Sequence, residues 1–128
     1  MRGPSKPSKQ RKEIYMAEGP KLHRLLAAPL SDELRKLQRR RSYPVRKGDT
    51  VKIVRGDFAG VEGKVNSVDT HGRRLFVEGV TREMTSGTST NVSVHSSKVI
   101  ITKLNLDDKW RAESIKPTQA TPAKEGAA

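Results

Sequence analysis

Five short segments of alternating apolar and polar residues constrain the fold more than any other feature of this 128-residue chain. They are TVKIVR, VEGKVNSV, RRLFVEGV, STNVSV and KVIITKL, and turn-rich residues separate them. Alternation with a period of two is the pattern of a half-buried β-strand. Parallel strands would need a crossover helix between them, and the intervals are too short for one. The segments therefore predict a mainly β fold in which the strands form a small antiparallel barrel.

We interpret this region, residues 45–110, as an SH3-like β-barrel. One strand does not fit a simple alternation: in VEGKVNSV, Val65 continues the apolar face, whereas Val68 is out of phase with it. A β-bulge near Asn66 or Ser67 would return Val68 to that face, because a bulge inserts one extra residue into a strand. The pattern therefore predicts an irregularity at this place in the second strand.

Positive charge is concentrated in the first third of the chain. Residues 1–48 contain 14 Lys+Arg and 4 Asp+Glu, whereas residues 49–110 contain 9 and 8, and the whole chain has a formal net charge of +12. Such a distribution is typical of a balanced folded module that carries a basic extension for binding a polyanion. The alternative is a solvated basic tail with no binding role.

Composition divides the chain into three parts. Residues 1–44 are predicted to form a basic, partly helical N-terminal extension, and residues 45–110 form the barrel. Residues 111–128 are rich in Ala, Pro, Thr and Lys and show no apolar face. This composition predicts a disordered C-terminal tail.

The extension contains signals for an arm and two short helices. Residues 1–18 hold prolines among polar and basic residues and are predicted to be an extended arm. Pro20 then suits the first position of a short helix that Pro29 ends. The segment SDELRKLQRRR is the strongest helix signal, with Ser31 as N-cap and Arg39–Arg41 at the negative end of the helix dipole. One predicted stripe of this helix consists of Leu30, Leu34, Leu37 and Arg41.

The run KGDTVKIVRGDFAGVEGKVNSVD, residues 47–69, carries the clearest chemical signal. Gly56, Gly60 and Gly63 allow either a positive φ or a close approach to another chain. Phe58 can stack on a nucleic-acid base or close the end of the barrel, and packing is the favoured interpretation. The basic side chains at the rim of this hairpin are Lys47, Lys52, Arg55 and Lys64.

This run resembles a KOW motif, a short β-hairpin unit with a central glycine that Gly60 matches. The flanking segments KQRK, LLAAPLSDELR, RRSYPVRKGD, VEGV and KVIITKLNL are similar to those of the universal ribosomal protein family twenty-four of the large subunit, in its archaeal and eukaryotic branch. Eukaryotic members of that family are numbered twenty-six. The resemblance extends from about residue 9 to residue 110.

The resemblance implies a structural constituent of the large ribosomal subunit. It implies binding to large-subunit ribosomal RNA near its 5′ end, an early role in assembly, and a place beside the nascent-peptide tunnel exit among other ribosomal proteins. Ribosomal RNA is recognised largely by shape, phosphates and 2′-hydroxyls, and basic segments order on contact. Positions carried over from the resemblance, together with further basic residues, give the predicted RNA-binding residues Lys9, Arg11, Lys12, Arg35, Lys36, Arg39, Arg40, Arg41, Arg46, Lys47, Lys52, Arg55, Gly56, Phe58, Gly60, Lys64, Arg73 and Arg74.

Nothing in the sequence predicts an enzyme, a metal site or a cofactor. The chain has no cysteine, and its three histidines are too scattered to share a metal ion. Asp107 and Asp108 are adjacent residues in a polar segment, which favours a turn or a helix start over a catalytic pair. Trp110 is predicted to pack against the barrel.

The sequence also bounds the location and the alternatives. Its longest apolar stretch is far shorter than the ~20 residues of a membrane span. The polar and basic N-terminus lacks the hydrophobic region of a secretory signal, so we expect a cytoplasmic protein without a membrane span or small-molecule substrate.

Two other classes of protein remain as alternatives. A KOW-type transcription elongation factor would need a further domain for polymerase contact, and a DNA-compacting or other nucleic-acid-binding protein would not need the flanking motifs.

Overall fold

The computed structural model describes residues 3–115 of the chain. Most of the predicted disordered tail, residues 116–128, lies outside the described residues. The elements follow one another as α1 (Pro7–Tyr15), α2 (Pro20–Leu25), β1 (Ala27–Pro29), α3 (Asp32–Gln38), β2 (Ser42–Pro44), β3 (Thr50–Ile53), β4 (Glu62–Asp69), β5 (Arg74–Glu83), β6 (Ser89–His95), a 3₁₀ turn (Ser96–Lys98), β7 (Val99–Lys103) and α4 (Lys109–Ile115).

Five strands form one antiparallel sheet in the order β6-β5-β4-β3-β7. The predicted mainly β class is confirmed, and the sheet is open rather than closed into a barrel, in an arrangement consistent with the SH3-like KOW fold. β1 and β2 form a separate two-stranded sheet. A parallel bridge between Leu30 and Ile101 joins the end of β1 to the edge strand β7. The segment that precedes the large sheet is thus attached to its edge.

The core lies between the large sheet and the segment that precedes it. The buried apolar residues of the five strands are Val51, Ile53, Val65, Leu75, Val77, Val80, Val94, Val99 and Ile101. Leu26, Ala28, Leu30 and Val45 belong to the same cluster. Part of the predicted extension therefore helps to build the fold, and the boundary expected at residue 45 does not coincide with an edge of the core.

The predicted β-bulge is confirmed. The register of β4 on β5 shifts between Val65 and Ser67, so that Val68 pairs with Leu75. At Gly63, a Cβ would lie 2.5 Å from the carbonyl oxygen of Glu78, which shows the close chain approach expected there. These local irregularities could be predicted because the glycine and the break in the apolar–polar alternation are both visible in the sequence.

The N-terminal arm differs from its prediction. Residues 7–15 form α1 rather than an extended segment, and Pro7 stands in its first turn, where proline costs no hydrogen bond. No residue of α1 is buried. α2 begins at Pro20 as expected, but it ends at Leu25, because the next residues enter β1. Among the described residues, no helix is both long and apolar enough to cross a membrane.

α3 keeps its predicted start but ends earlier than expected. The side chain of Ser31 accepts a hydrogen bond from the backbone N–H of Leu34 at 3.5 Å, which confirms the N-cap. Arg39 adopts a left-handed conformation with φ of 54° and stops the helix after Gln38. Arg39–Arg41 therefore follow the helix rather than forming its last turn. Leu37, predicted for the apolar stripe, is 67% exposed.

The C-terminal end of the described chain corrects two expectations. Asp108 accepts a hydrogen bond from the backbone N–H of Trp110 at 3.1 Å and starts α4, which confirms the helix start predicted there. Residues 111–115 are helical where a disordered tail was expected, and Arg111 and Ile115 are buried. The prediction that Trp110 packs on the sheet is wrong, because its side chain is 80% exposed.

Candidate nucleic-acid interface

The basic side chains predicted to bind RNA lie at the surface. Of these fifteen residues, all are exposed except Arg73, which is partly exposed. Within residues 3–115, only Arg35 and Arg46 pair with a carboxylate, Arg35 with Asp32 at 4.0 Å and Arg46 with Asp108 at 2.8 Å. Most of this positive charge is therefore not neutralised by the described part of the protein and is available to an external anion.

Residues 40–49, which we call the junction, are fixed by a buried ion pair. Asp49 and Arg111 are 0% and 3% exposed, and two guanidinium nitrogens contact the two carboxylate oxygens at 2.5 and 2.6 Å. Asp49 also accepts hydrogen bonds from the backbone N–H groups of Arg46, at 3.0 Å, and Asn105, at 2.9 Å. Such a bidentate pair has a defined geometry. It therefore fixes the backbone that carries Arg46.

Tyr43 gives the junction a second anchor. Its hydroxyl lies 2.6 Å from Oγ of Ser114, and the guanidinium of Arg111 lies 5.3 Å from its ring centroid. The exposed Arg40 lies 5.6 Å from the same centroid, within range of a cation–π contact. α4 thus holds Tyr43, and Tyr43 in turn orients one of the cations predicted to meet RNA.

The loop that joins β3 and β4, residues 54–61, has a glycine-dependent backbone. Gly56 and Gly60 have φ of 96° and 91°, and a Cβ at either position would meet no atom of residues 3–115 within 4 Å. The predicted need for glycine here arises from the positive φ and not from a close approach. Phe58 is partly buried and packs against the core, as expected. Lys52 and Lys64 are exposed on the adjoining strands.

A second basic cluster lies where β5 begins and β6 ends. Arg74 is the register partner of His95. Burial, followed by the charges of Arg74, Arg73 and Lys98, lowers the pKa of His95 below its ordinary value of 6.5. The backbone N–H of Ser97 donates to Nδ1 of His95 at 3.2 Å, which is compatible with a neutral ring that carries its proton on Nε2.

The structure does not bring all predicted residues together. Lys9, Arg11 and Lys12 lie on α1, whose hydrogen bonds within the described chain are made with neighbouring residues only. Arg40, Arg46 and Lys47 lie instead on the anchored junction. The interface therefore has two positive parts: α1, which we call the arm and which is loosely attached, and the junction, which is fixed.

Sequence reasoning misses three residues that shape this surface. It puts Arg111 in a disordered tail and treats Asp49 only as part of a turn. A buried pair 62 positions apart in the chain leaves no local signal, although an isolated Asp after a glycine and an Arg after a tryptophan are both visible. Lys98 is not among the predicted RNA-binding residues, and it lies in the 3₁₀ turn rather than in the predicted strand KVIITKL. Within residues 3–115, no group of three or more His, Asp or Glu residues could hold a metal ion.

Known proteins resemble this chain over most of its length. A family model for the ribosomal proteins L26 of eukaryotes and their archaeal counterparts matches residues 4–117. The large ribosomal subunit protein uL24 of Korarchaeum cryptofilum is 48% identical over 106 residues, 83% of this chain and 81% of that protein. The uL24 protein of Sulfolobus acidocaldarius is 47% identical over 111 residues, covering 87% and 83%. That of Methanosphaera stadtmanae is 43% identical over 109 residues, covering 85% and 93%.

Proposed function

The chain belongs to the uL24 family of large-subunit ribosomal proteins, and from this premise we propose that it binds large-subunit ribosomal RNA near the RNA's 5′ end. It is a structural constituent of the large subunit in the cytoplasmic ribosome and not an enzyme, as the sequence predicts. We further propose that it joins the subunit early in assembly and lies beside the tunnel exit, next to other ribosomal proteins.

The exposed basic surface is the observation that supports RNA binding most strongly. Thirteen of the fifteen predicted basic residues have no carboxylate within ion-pair distance in the part of the chain that the structure describes. Phosphates can replace the water and counterions around such side chains without breaking an internal ion pair. Arg side chains add bidentate contacts to phosphate oxygens.

The two parts of the interface suit different features of folded RNA. The exposed helix α1 carries Lys9, Arg11 and Lys12 and can follow a phosphate backbone or a groove, which requires charge more than fixed geometry. In the junction, Arg40 lies over the Tyr43 ring, and Asp49 fixes the backbone that carries Arg46. We therefore assign positioning on the RNA to the junction and additional affinity to the arm.

Filter binding tests the RNA-binding proposal. The full chain is titrated against a transcript of the 5′ region of large-subunit RNA, and against a small-subunit transcript of equal length as the matched control. If about 6 to 10 phosphates are contacted, affinity for the first RNA falls by roughly 10³ to 10⁵ between 50 and 200 mM salt. Preference for the 5′ transcript at 150 mM salt supports the proposal, whereas equal binding of both transcripts contradicts it.

Assembly order and location need a separate experiment. Tagged protein is supplied to growing cells in a pulse, and large-subunit precursors are separated from mature subunits by sedimentation. The proposal expects the tagged chain in the earliest precursors, and cross-links from mature subunits to proteins around the tunnel exit. Entry only into mature particles would contradict the early role. Copurification with RNA polymerase or chromosomal DNA instead of subunits would favour the elongation-factor or DNA-binding alternatives.

A further inference from the structure

A small cavity lies where the edge strand β6 meets the β3–β4 loop and the 3₁₀ turn. It measures about 230 Å³, and its walls include Arg55, Phe58, Arg82, Val92, Ser93 and Lys98. The backbone N–H of Val54 donates to the carbonyl of Lys98 at 2.9 Å and joins the loop to the turn. Pockets for whole drug-sized ligands measure about 300–1,000 Å³, so this cavity suits a smaller group.

The polar part of the wall is positive. Arg55 and Lys98 are exposed and pair with no carboxylate within the described residues. Arg82 lies 3.7 Å from Asp57, but the two side chains are 66% and 86% exposed, and exposed pairs at such a distance are weak. Among the described residues, Asp57 is the one carboxylate in the wall, so three positive charges face one negative charge. A phosphate can compete with Asp57 for Arg82.

The apolar part of the wall is aromatic on one side. Phe58 is partly buried and held against the core, and Val92 is a second partly buried apolar group. A fixed aromatic ring beside several cations is the combination that binds single unstacked nucleotides, since the ring stacks on the base and the cations meet the phosphate. A free phosphate would not need the ring, and an apolar ligand would not need the cations.

We propose that this cavity binds one unstacked nucleotide of the ribosomal RNA, with its base against Phe58 and its phosphate among Arg55, Arg82 and Lys98. The proposal rests on the RNA-binding function argued above and specifies one site within it. Base stacking is sequence-tolerant, because every base has a π-face, so the site selects an unpaired nucleotide rather than a particular base.

Amide chemical shifts of the ¹⁵N-labelled full chain test the site directly. The probes are adenosine 5′-monophosphate and inorganic phosphate, at equal ionic strength. We expect the nucleotide to shift the amides of Gly56, Phe58 and Ser93 more than phosphate does. Ser93→Phe fills the cavity from an exposed position on β6 and should weaken nucleotide binding about fivefold or more, the size expected for losing one stacked base. Ser89→Phe, the same substitution at an exposed position of β6 outside the cavity wall, is the matched control and should bind as wild type does.

Two charge-removing variants distinguish binding in this cavity from general electrostatic attraction of the nucleotide to the basic protein. Lys98→Gln should weaken nucleotide binding, whereas Lys103→Gln, which removes an exposed charge from β7 outside the cavity, should leave it unchanged. Equal shifts from phosphate and nucleotide, or equal effects of the two lysine variants, would overturn the proposal. Native amide spectra of the unbound variants verify that each one folds.

Binding of the 5′ ribosomal RNA transcript distinguishes the failure of this site from failure of the proposed function. If wild type and Ser93→Phe bind the transcript equally tightly and the nucleotide causes no shifts, the cavity proposal is wrong while RNA binding stands. If wild type itself shows no preference for the transcript, the proposed function fails and the cavity proposal fails with it. Weaker transcript binding by Ser93→Phe, but not by Ser89→Phe, supports both.

Discussion

The arm and the junction carry the same charge but differ in how the protein holds them. α1 has no buried residue, and Lys9, Arg11 and Lys12 project from a helix that makes only local hydrogen bonds within the described chain. The junction is tied to α4 by the buried Asp49–Arg111 pair and by Tyr43. Binding must fix the arm at an entropic cost, whereas the junction is already in place. Equal charge therefore does not imply an equal contribution to recognition.

The largest effect should follow from releasing the junction. Arg111→Ala leaves Asp49 buried without its partner, and breaking a buried pair in this way costs about 3–5 kcal/mol. We expect the free energy of unfolding in urea to fall by that amount. Arg35→Ala removes an exposed arginine 4.0 Å from its carboxylate and should cost less than about 1 kcal/mol. Equal stability of the two variants would show that the buried pair does not anchor the junction.

The arm should affect binding without affecting folding. Changing Lys9, Arg11 and Lys12 together to Gln should reduce the slope of log affinity against log salt by about 2 to 3 for the 5′ transcript. The melting temperature should not change, because α1 has no buried residue. Lys21, Lys103 and Lys109, also exposed and outside the predicted interface, provide a control with the same change of charge. If the control triple variant lowers the slope as much, the contribution of a cation to RNA binding does not depend on its position on the surface.

A smaller effect is expected at Tyr43, which is anchored to α4 and lies against the exposed Arg40. Tyr43→Phe keeps the ring beneath Arg40 and removes the hydroxyl that contacts Ser114 at 2.6 Å. One such hydrogen bond contributes about 1 kcal/mol to stability. Ser114→Ala should cost a similar amount, and the double variant should cost little more than either single one. Additive losses in thermal unfolding would show that the two groups act independently.

The smallest effect should come from His95, which lies in neither region. Its pKa is lower in the folded chain than its ordinary value of 6.5, chiefly because of burial, so the unfolded chain binds the proton more tightly. Stability from this group is present above pH 6.5 and is lost as pH falls toward the lowered pKa. His95→Gln should flatten the decline of unfolding free energy over this interval. An unchanged decline would mean that His95 does not titrate as described.

The sequence reveals the local features of the fold and misses contacts that are distant in the chain. The bulge after Val65 follows from the break in the apolar–polar alternation, and the N-cap follows from a serine that precedes a helix pattern at Ser31. The helix α1 cannot be predicted because its polar residues have no apolar stripe that would signal a helix. The role of Arg111 is hidden because Asp49, its partner, is 62 positions away.

Core residues that the sequence places in the extension determine how much of the N-terminus can be deleted without loss of the fold. The charge distribution suggests deleting residues 1–41, but Leu26, Ala28 and Leu30 lie in the core. That deletion would remove part of the fold together with the charge. A deletion that ends at residue 16, before the buried Ala17, separates the two. For the candidate interface, the sequence identifies the charged residues but not which of them are fixed, because that depends on tertiary packing.

Hydroxyl-radical footprinting of protein-free large-subunit RNA, with and without the full chain, tests the central claim most directly. We expect protected riboses to be confined to the 5′ region. The triple variant of Lys9, Arg11 and Lys12 should lose part of the protection, while the part assigned to the junction persists. Protection scattered over the whole RNA, or complete loss of protection in the triple variant, would contradict the claim that a fixed basic surface positions this protein on its RNA.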